Sequence, residues 1–150
     1  MLASQALAAC ILMAANTYQI PAGVMTGIVQ LEGGRVGQEA GPNIDGSYDL
    51  GPMQINTHWL PMLAQVWHVD AKMARVWVRD NGCVNVHVGA WVLRQKMSDA
   101  GSLWGGIAAY HSATPGLGTP YAHKIIAIMK RNAQTEQSTY LRSYTEYVQR

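Results

Sequence analysis

Apolar positions recur at helical spacing over most of the chain, and two glycine-rich polar stretches interrupt them. A first apolar helix is predicted over about 2–17. Pro21 suits the first turn of a second helix, which carries Val24, Ile28 and Leu31 on one face at i, i+4, i+7. Gly33 and Gly34 end it. From Arg35 to Leu50 the periodicity stops, and "GPNIDGSYDLG" reads as loop, with a small hairpin at Asp45-Gly46. A further helix starts near Thr57. Asp70 is placed to cap a short helix reaching Val78. Asn81 is placed to cap a longer one with Val84, Val88, Trp91 and Val92 at helical spacing. Gly101-Ser102 breaks the chain, Leu103 to Tyr110 is helical, and "HSATPGLGTP" is the second loop. A last helix begins near Pro120 and runs, with a break, to the C-terminus. The pattern is mainly α and fits one domain over 1–150. Residues 133–150 form a polar helical extension bearing Tyr140, Tyr144 and Tyr147, expected either to dock on the domain or to serve as a handle for a partner.

Composition narrows the function classes. The 150 residues are 49% hydrophobic and only 13% charged, which excludes a disordered tail and a charge-laced coiled coil. A net charge of +2 is too weak for a nucleic-acid binder but is compatible with an anionic polymer such as a cell wall. No apolar run reaches the length of a membrane span, and Met1 to Ala9 lacks the basic and apolar regions of a signal peptide. Cys10 and Cys83 fit no metal spacing. They are either a long-range disulfide or two buried free thiols. Neither HExxH nor an i, i+4 histidine pair is present, so no metal site is expected, and no cofactor motif appears. Cys83 and His87 share a helix face, as a thiol and a base would.

The acids are few enough to place individually. Asp70, Asp80 and Asp99 fall at helix ends or turns, Glu136 and Glu146 in the polar tail, and Glu39, Asp45 and Asp49 in the first loop. Glu32 differs, because it follows directly from an apolar helix. Partial burial there would raise its pKa, as a general acid near neutral pH requires. A solvated Glu at a helix end is the plainer alternative. In "GSYDLGPMQINTHWLP", Gly51 permits a turn or a close approach, Met53 offers an adaptable apolar contact, and Gln54 and Asn56 offer amides suited to sugar hydroxyls and acetamides. Tyr110 ends an apolar helical segment.

Glu32, then Gly51-Pro52-Met53-Gln54-Ile55-Asn56, then Ala109-Tyr110-His111 resemble, in that order, the lytic transglycosylases of the soluble-transglycosylase type. "NIDGSYDLG" and "GCVNVHVGAWVL" look like the small members that serve secretion, conjugation and pilus machines, and the resemblance spans about residues 8–130. It implies a lysozyme-like, goose-type domain with a small loop or hairpin region between helices. It implies a peptidoglycan substrate cleaved at the MurNAc–GlcNAc bond with a 1,6-anhydro product, and Glu32 as the single catalytic carboxyl. Met53 and Gln54 are expected to line the groove, Gln54 or Asn56 to bond an acetamide or hydroxyl, and Tyr110 to orient Glu32. Tyr121 matches a tyrosine at the start of the last helix, and Tyr48 is a further candidate. The resemblance also implies a Cys10–Cys83 bridge, a periplasmic or other extracytoplasmic location, a monomer, and partners in an envelope apparatus.

Three positions depart from the family pattern. Gly33 stands in place of Ser or Thr, Pro52 in place of Leu or Tyr, and His111 in place of Asn. None removes the acid. Two other readings stand beside the transglycosylase: a lysozyme-type hydrolase using Asp45 or Asp49 as second carboxyl, and a catalytically weak wall-binding or scaffold protein.

Overall fold

The computed structural model describes residues 2–114 and 116–149, and the side chains among them other than those of Leu2, Ala3, Tyr140, Tyr144 and Tyr147. The described residues form seven α-helices and one small sheet: α1 (Leu2–Tyr18), α2 (Ala22–Glu32), α3 (Leu60–Trp67), α4 (Ala71–Asp80), α5 (Gly82–Ala100), α6 (Leu103–His111) and α7 (Gly118–Val148). Between α2 and α3 lie β1 (Glu39–Ala40), β2 (Asp49–Leu50) and β3 (Ile55–Asn56). This is the mainly α arrangement that the periodicity predicts, and it agrees with the lysozyme-like fold that the resemblance implies.

The predicted caps form. Asp70 accepts from the Met73 N–H at 2.7 Å and Asn81 from the Val84 N–H at 3.1 Å. Gly33 closes α2 in the left-handed conformation at φ 66°. The hairpin also forms, with β1 antiparallel to β2, but its strands are two residues long and β3 adds a third. Strands this short leave no period-two signal in a sequence.

Three elements differ from expectation. Helix α4 runs on to Asp80. Helix α5 is buried on more than one face: Asn85, Val86, Val88, Gly89, Ala90, Val92 and Leu93 all lie inside, because α1, α4 and α6 pack around it. Helix α7 begins at Gly118 and continues unbroken to Val148. Its first turns are anchored by Tyr121, Ile125 and Ile128 in the interior, whereas from Ala133 to Gln149 every described side chain is exposed. The tail tyrosines' side chains lie outside the described residues.

Cys10 on α1 and Cys83 at the start of α5 are bonded, with their Cα atoms 5.1 Å apart. This settles the two cysteine readings for the bridge and removes Cys83 as a thiol beside His87.

Candidate functional site

Glu32 is the last residue of α2, half-buried where the helix meets the first turns of α7. Burial raises its pKa above the usual 4.5, and the Asp49 carboxylate adds in the same direction. The negative end of the α2 dipole also disfavours a charge there. Against these, Tyr121 Oη donates to Glu32 Oε1 at 2.6 Å, and His111 favours the ionised form. Burial prevails, so Glu32 holds its proton more firmly than a solvated glutamic acid.

Two adjoining hollows meet at Glu32 and His111. One, of about 320 Å³, is lined by Glu32, Asp49, Gln54, Ile55, Asn56, Trp59, Val92, Tyr110 and His111. The other, of about 260 Å³, lies between Glu32, His111 and the start of α7. Glu32 and His111 are thus common to the linings of both.

One wall of the first hollow is the end of the segment from Gly51 to Asn56, whose backbone is held by buried partners. Asn85, fully buried on α5, donates through Nδ2 to the carbonyls of Leu50 (2.8 Å) and Val78 (2.9 Å). Its Oδ1 accepts from the Met53 N–H at 2.8 Å. Tyr110 Oη donates to the Met53 carbonyl at 2.8 Å, so the Met53 backbone is gripped from both sides. The next residue, Gln54, is forced to φ 51°, a conformation rare for a side-chain-bearing residue, and its Nε2 turns back to the Gly51 carbonyl at 2.9 Å. Small residues make the approach possible. A Cβ at Gly34 would strike the Gly51 carbonyl, one at Gly51 (φ 63°) would strike the Asn85 amide, and one at Gly89 would strike the Met53 sulfur.

Asp49 is locked, with Oδ1 accepting from Asn56 Nδ2 and Oδ2 from Asn43 Nδ2, each at 2.9 Å. Both amides also reach Ser47 Oγ at 3.0 Å. Asp45 is exposed, 2.8 Å from His58 Nε2. Among the described residues, no cluster of three or more His, Cys, Asp or Glu side chains is placed to share a metal ion.

The sequence-predicted residues divide. Glu32, Gln54, Asn56 and Tyr110 line one cleft, and Tyr121 reaches Glu32 from the other side. Met53 does not line the groove: its side chain is fully buried against Gly89, and only its backbone serves the wall. Gly51 is likewise buried and acts as a turn. Tyr110 does not orient Glu32 by a hydrogen bond, because its hydroxyl is engaged by Met53, and Tyr121 makes that bond instead. Burial, with the nearby Glu32 and Asp49 carboxylates, raises the Tyr110 pKa and keeps its phenol a donor. Tyr48 does not line either hollow, and its ring lies beneath the Arg75 guanidinium at 4.8 Å. Sequence reasoning missed Asn85, Asp49 as a cleft wall, and Trp59. For Asn85 the available signal was an amide inside an apolar helical run.

A larger hollow of about 500 Å³ lies among α1, α3, α4 and α5, lined by Tyr18, Trp67, Trp77, His87 and Trp91 among others. No carboxylate lines it.

No family model matches the chain. The chain is similar to invasion protein IagB of Salmonella typhimurium, 31% identical over 109 residues, which make up 73% of this chain and 65% of that protein. It is also similar to protein IpgF of Shigella flexneri, 28% identical over 101 residues, or 67% of this chain and 63% of that protein. The chain therefore spans a little under two thirds of the length of the curated relatives it matches. Among the described residues no helix is long and apolar enough to cross a membrane.

Proposed function

We propose that this chain is a peptidoglycan lytic transglycosylase acting outside the cytoplasm, cleaving the MurNAc–GlcNAc β-1,4 bond with formation of a 1,6-anhydro end. The observation that carries the reading is Glu32: a half-buried carboxyl with a raised pKa, in a cleft where the other carboxylate, Asp49, has both oxygens occupied by amides.

Glycosidases generally use two carboxyl groups. Here Glu32 serves twice. Its proton passes to the glycosidic oxygen as the bond from that oxygen to the muramic C1 breaks, and the substrate's own acetamide oxygen stabilises C1. Ionised Glu32 then takes the proton of the muramic 6-hydroxyl, whose oxygen bonds to C1 as the acetamide leaves. Water is not consumed and Glu32 ends protonated. The Tyr121 bond favours the carboxylate between the two transfers. Gln54 and Asn56 line the cleft where the sugar would lie, the Asn56 amide being held there by Asp49, Ser47 and the His58 N–H, and Tyr110 holds the wall that carries them. Similarity to a protein named for invasion is in keeping with local wall opening for an envelope-spanning machine, and the disulfide with an oxidising compartment.

The test is mass spectrometry of fragments released from purified peptidoglycan by the protein and by Glu32→Gln. Anhydro-muropeptides from the unmodified protein alone are expected. Reducing-end muramic acid would assign a hydrolase. Pelleting with sacculi and no fragments would assign the wall-binding reading.

A further inference from the structure

We propose that His111 is a positioning residue for the Glu32 proton: its imidazole, stacked on the Tyr121 ring, sets through that phenol how firmly Glu32 is protonated. The His111 and Tyr121 rings lie face to face, with centroids 4.7 Å apart and planes within 5°. The Tyr121 hydroxyl in turn donates to Glu32 Oε1 at 2.6 Å. His111 is exposed at the end of α6 and lines the hollows on both sides of Glu32, so it is open to solvent protons while touching the site's inner chain of contacts.

The chemistry follows from these contacts. Imidazole is the side chain whose charge ordinarily changes near neutral pH. An imidazolium on the phenol face polarises the Tyr121 O–H toward Glu32 and favours the carboxylate. A neutral ring does neither. The other titratable and charged groups sharing these hollows are Asp49 from β2, Tyr110 beside His111 on α6, and Tyr121 and Lys124 from α7. Asp49 works in the opposite sense, disfavouring the Glu32 charge.

The proposal rests on the reading of Glu32 as the acid only for its effect on rate. Its first test does not need activity: NMR titration of the Glu32 carboxyl carbon and the His111 ring nitrogens in the full chain. His111→Asn is expected to shift the Glu32 midpoint upward, and Tyr121→Phe, which keeps the stacked ring without the hydroxyl, is expected to abolish that effect of His111→Asn. His111→Phe keeps a stacked ring without the charge and is expected to match His111→Asn. An unmoved Glu32 midpoint overturns the proposal, and so does a His111→Phe protein that titrates like the unmodified one, or a His111→Asn shift that is unchanged in the Tyr121→Phe protein. If fragments are released, the alkaline limb of kcat/KM should move upward with the Glu32 midpoint. An activity assay without fragments would count against the transglycosylase reading and leave the titration result standing.

Discussion

At the scale of the residue, Glu32 carries a cost that can be measured. Its carboxyl binds a proton more firmly in the folded chain than at its usual value of 4.5. Folding therefore takes up a proton between those two values, and stability falls as pH rises through that window and stays lowered above it. Glu32→Gln is neutral at every pH. Its melting temperature relative to the unmodified protein should be higher at pH 7 than at pH 3, where both forms are essentially uncharged. An equal difference at the two pH values would show that no such burden exists. Activity follows the same group: kcat/KM should fall on the alkaline side as Glu32 loses the proton the first step needs. Glu32 was legible because a lone acid ends an apolar run in a chain with few charges. Which tyrosine would hold it was not legible. Tyr110 and Tyr121 flank one loop, and only the packing of α6 against α7 decides which hydroxyl faces Met53 and which faces Glu32.

Among the elements, the Gly51–Asn56 wall depends on α5 through one amide. Asn85→Ala would leave the Met53 N–H and the Leu50 and Val78 carbonyls without that partner in the interior. Each buried group left unsatisfied costs about 1–3 kcal/mol, so urea unfolding should show a loss of several kcal/mol in total. A midpoint within error of the unmodified protein would show that the clamp is replaceable. Asn85 escaped sequence reasoning because α5 is enclosed on several sides. Its apolar positions then mark no single face, and a polar residue among them reads as pattern noise. The caps, by contrast, were legible at Asp70 and Asn81, since each bond joins a residue to its near neighbour. The wall itself was legible as a motif but not as a geometry. Gly51 and Met53 serve by turning and by backbone bonds, and their burial comes from the distant Gly89 and Asn85.

Across the whole molecule, the bridge between Cys10 and Cys83 closes a loop with a sequence separation of 73. In the chain-entropy account such a closure contributes about 4 kcal/mol by restricting the unfolded chain. Reduction should lower the denaturation midpoint by a corresponding amount, and because Cys83 stands two residues before Asn85, hydrogen exchange should rise first around the Gly51–Asn56 wall. Unchanged exchange there on reduction would separate the bridge from the wall. Mechanically, α7 is a lever. Near its short end Tyr121 touches the cleft, and Ile125 and Ile128 sit in the interior as the fulcrum. Its long arm, residues 133–148, is a rod of about 24 Å at the rise of an α-helix. A load that tilts the far tip arrives, reduced in amplitude, at the phenol that grips Glu32.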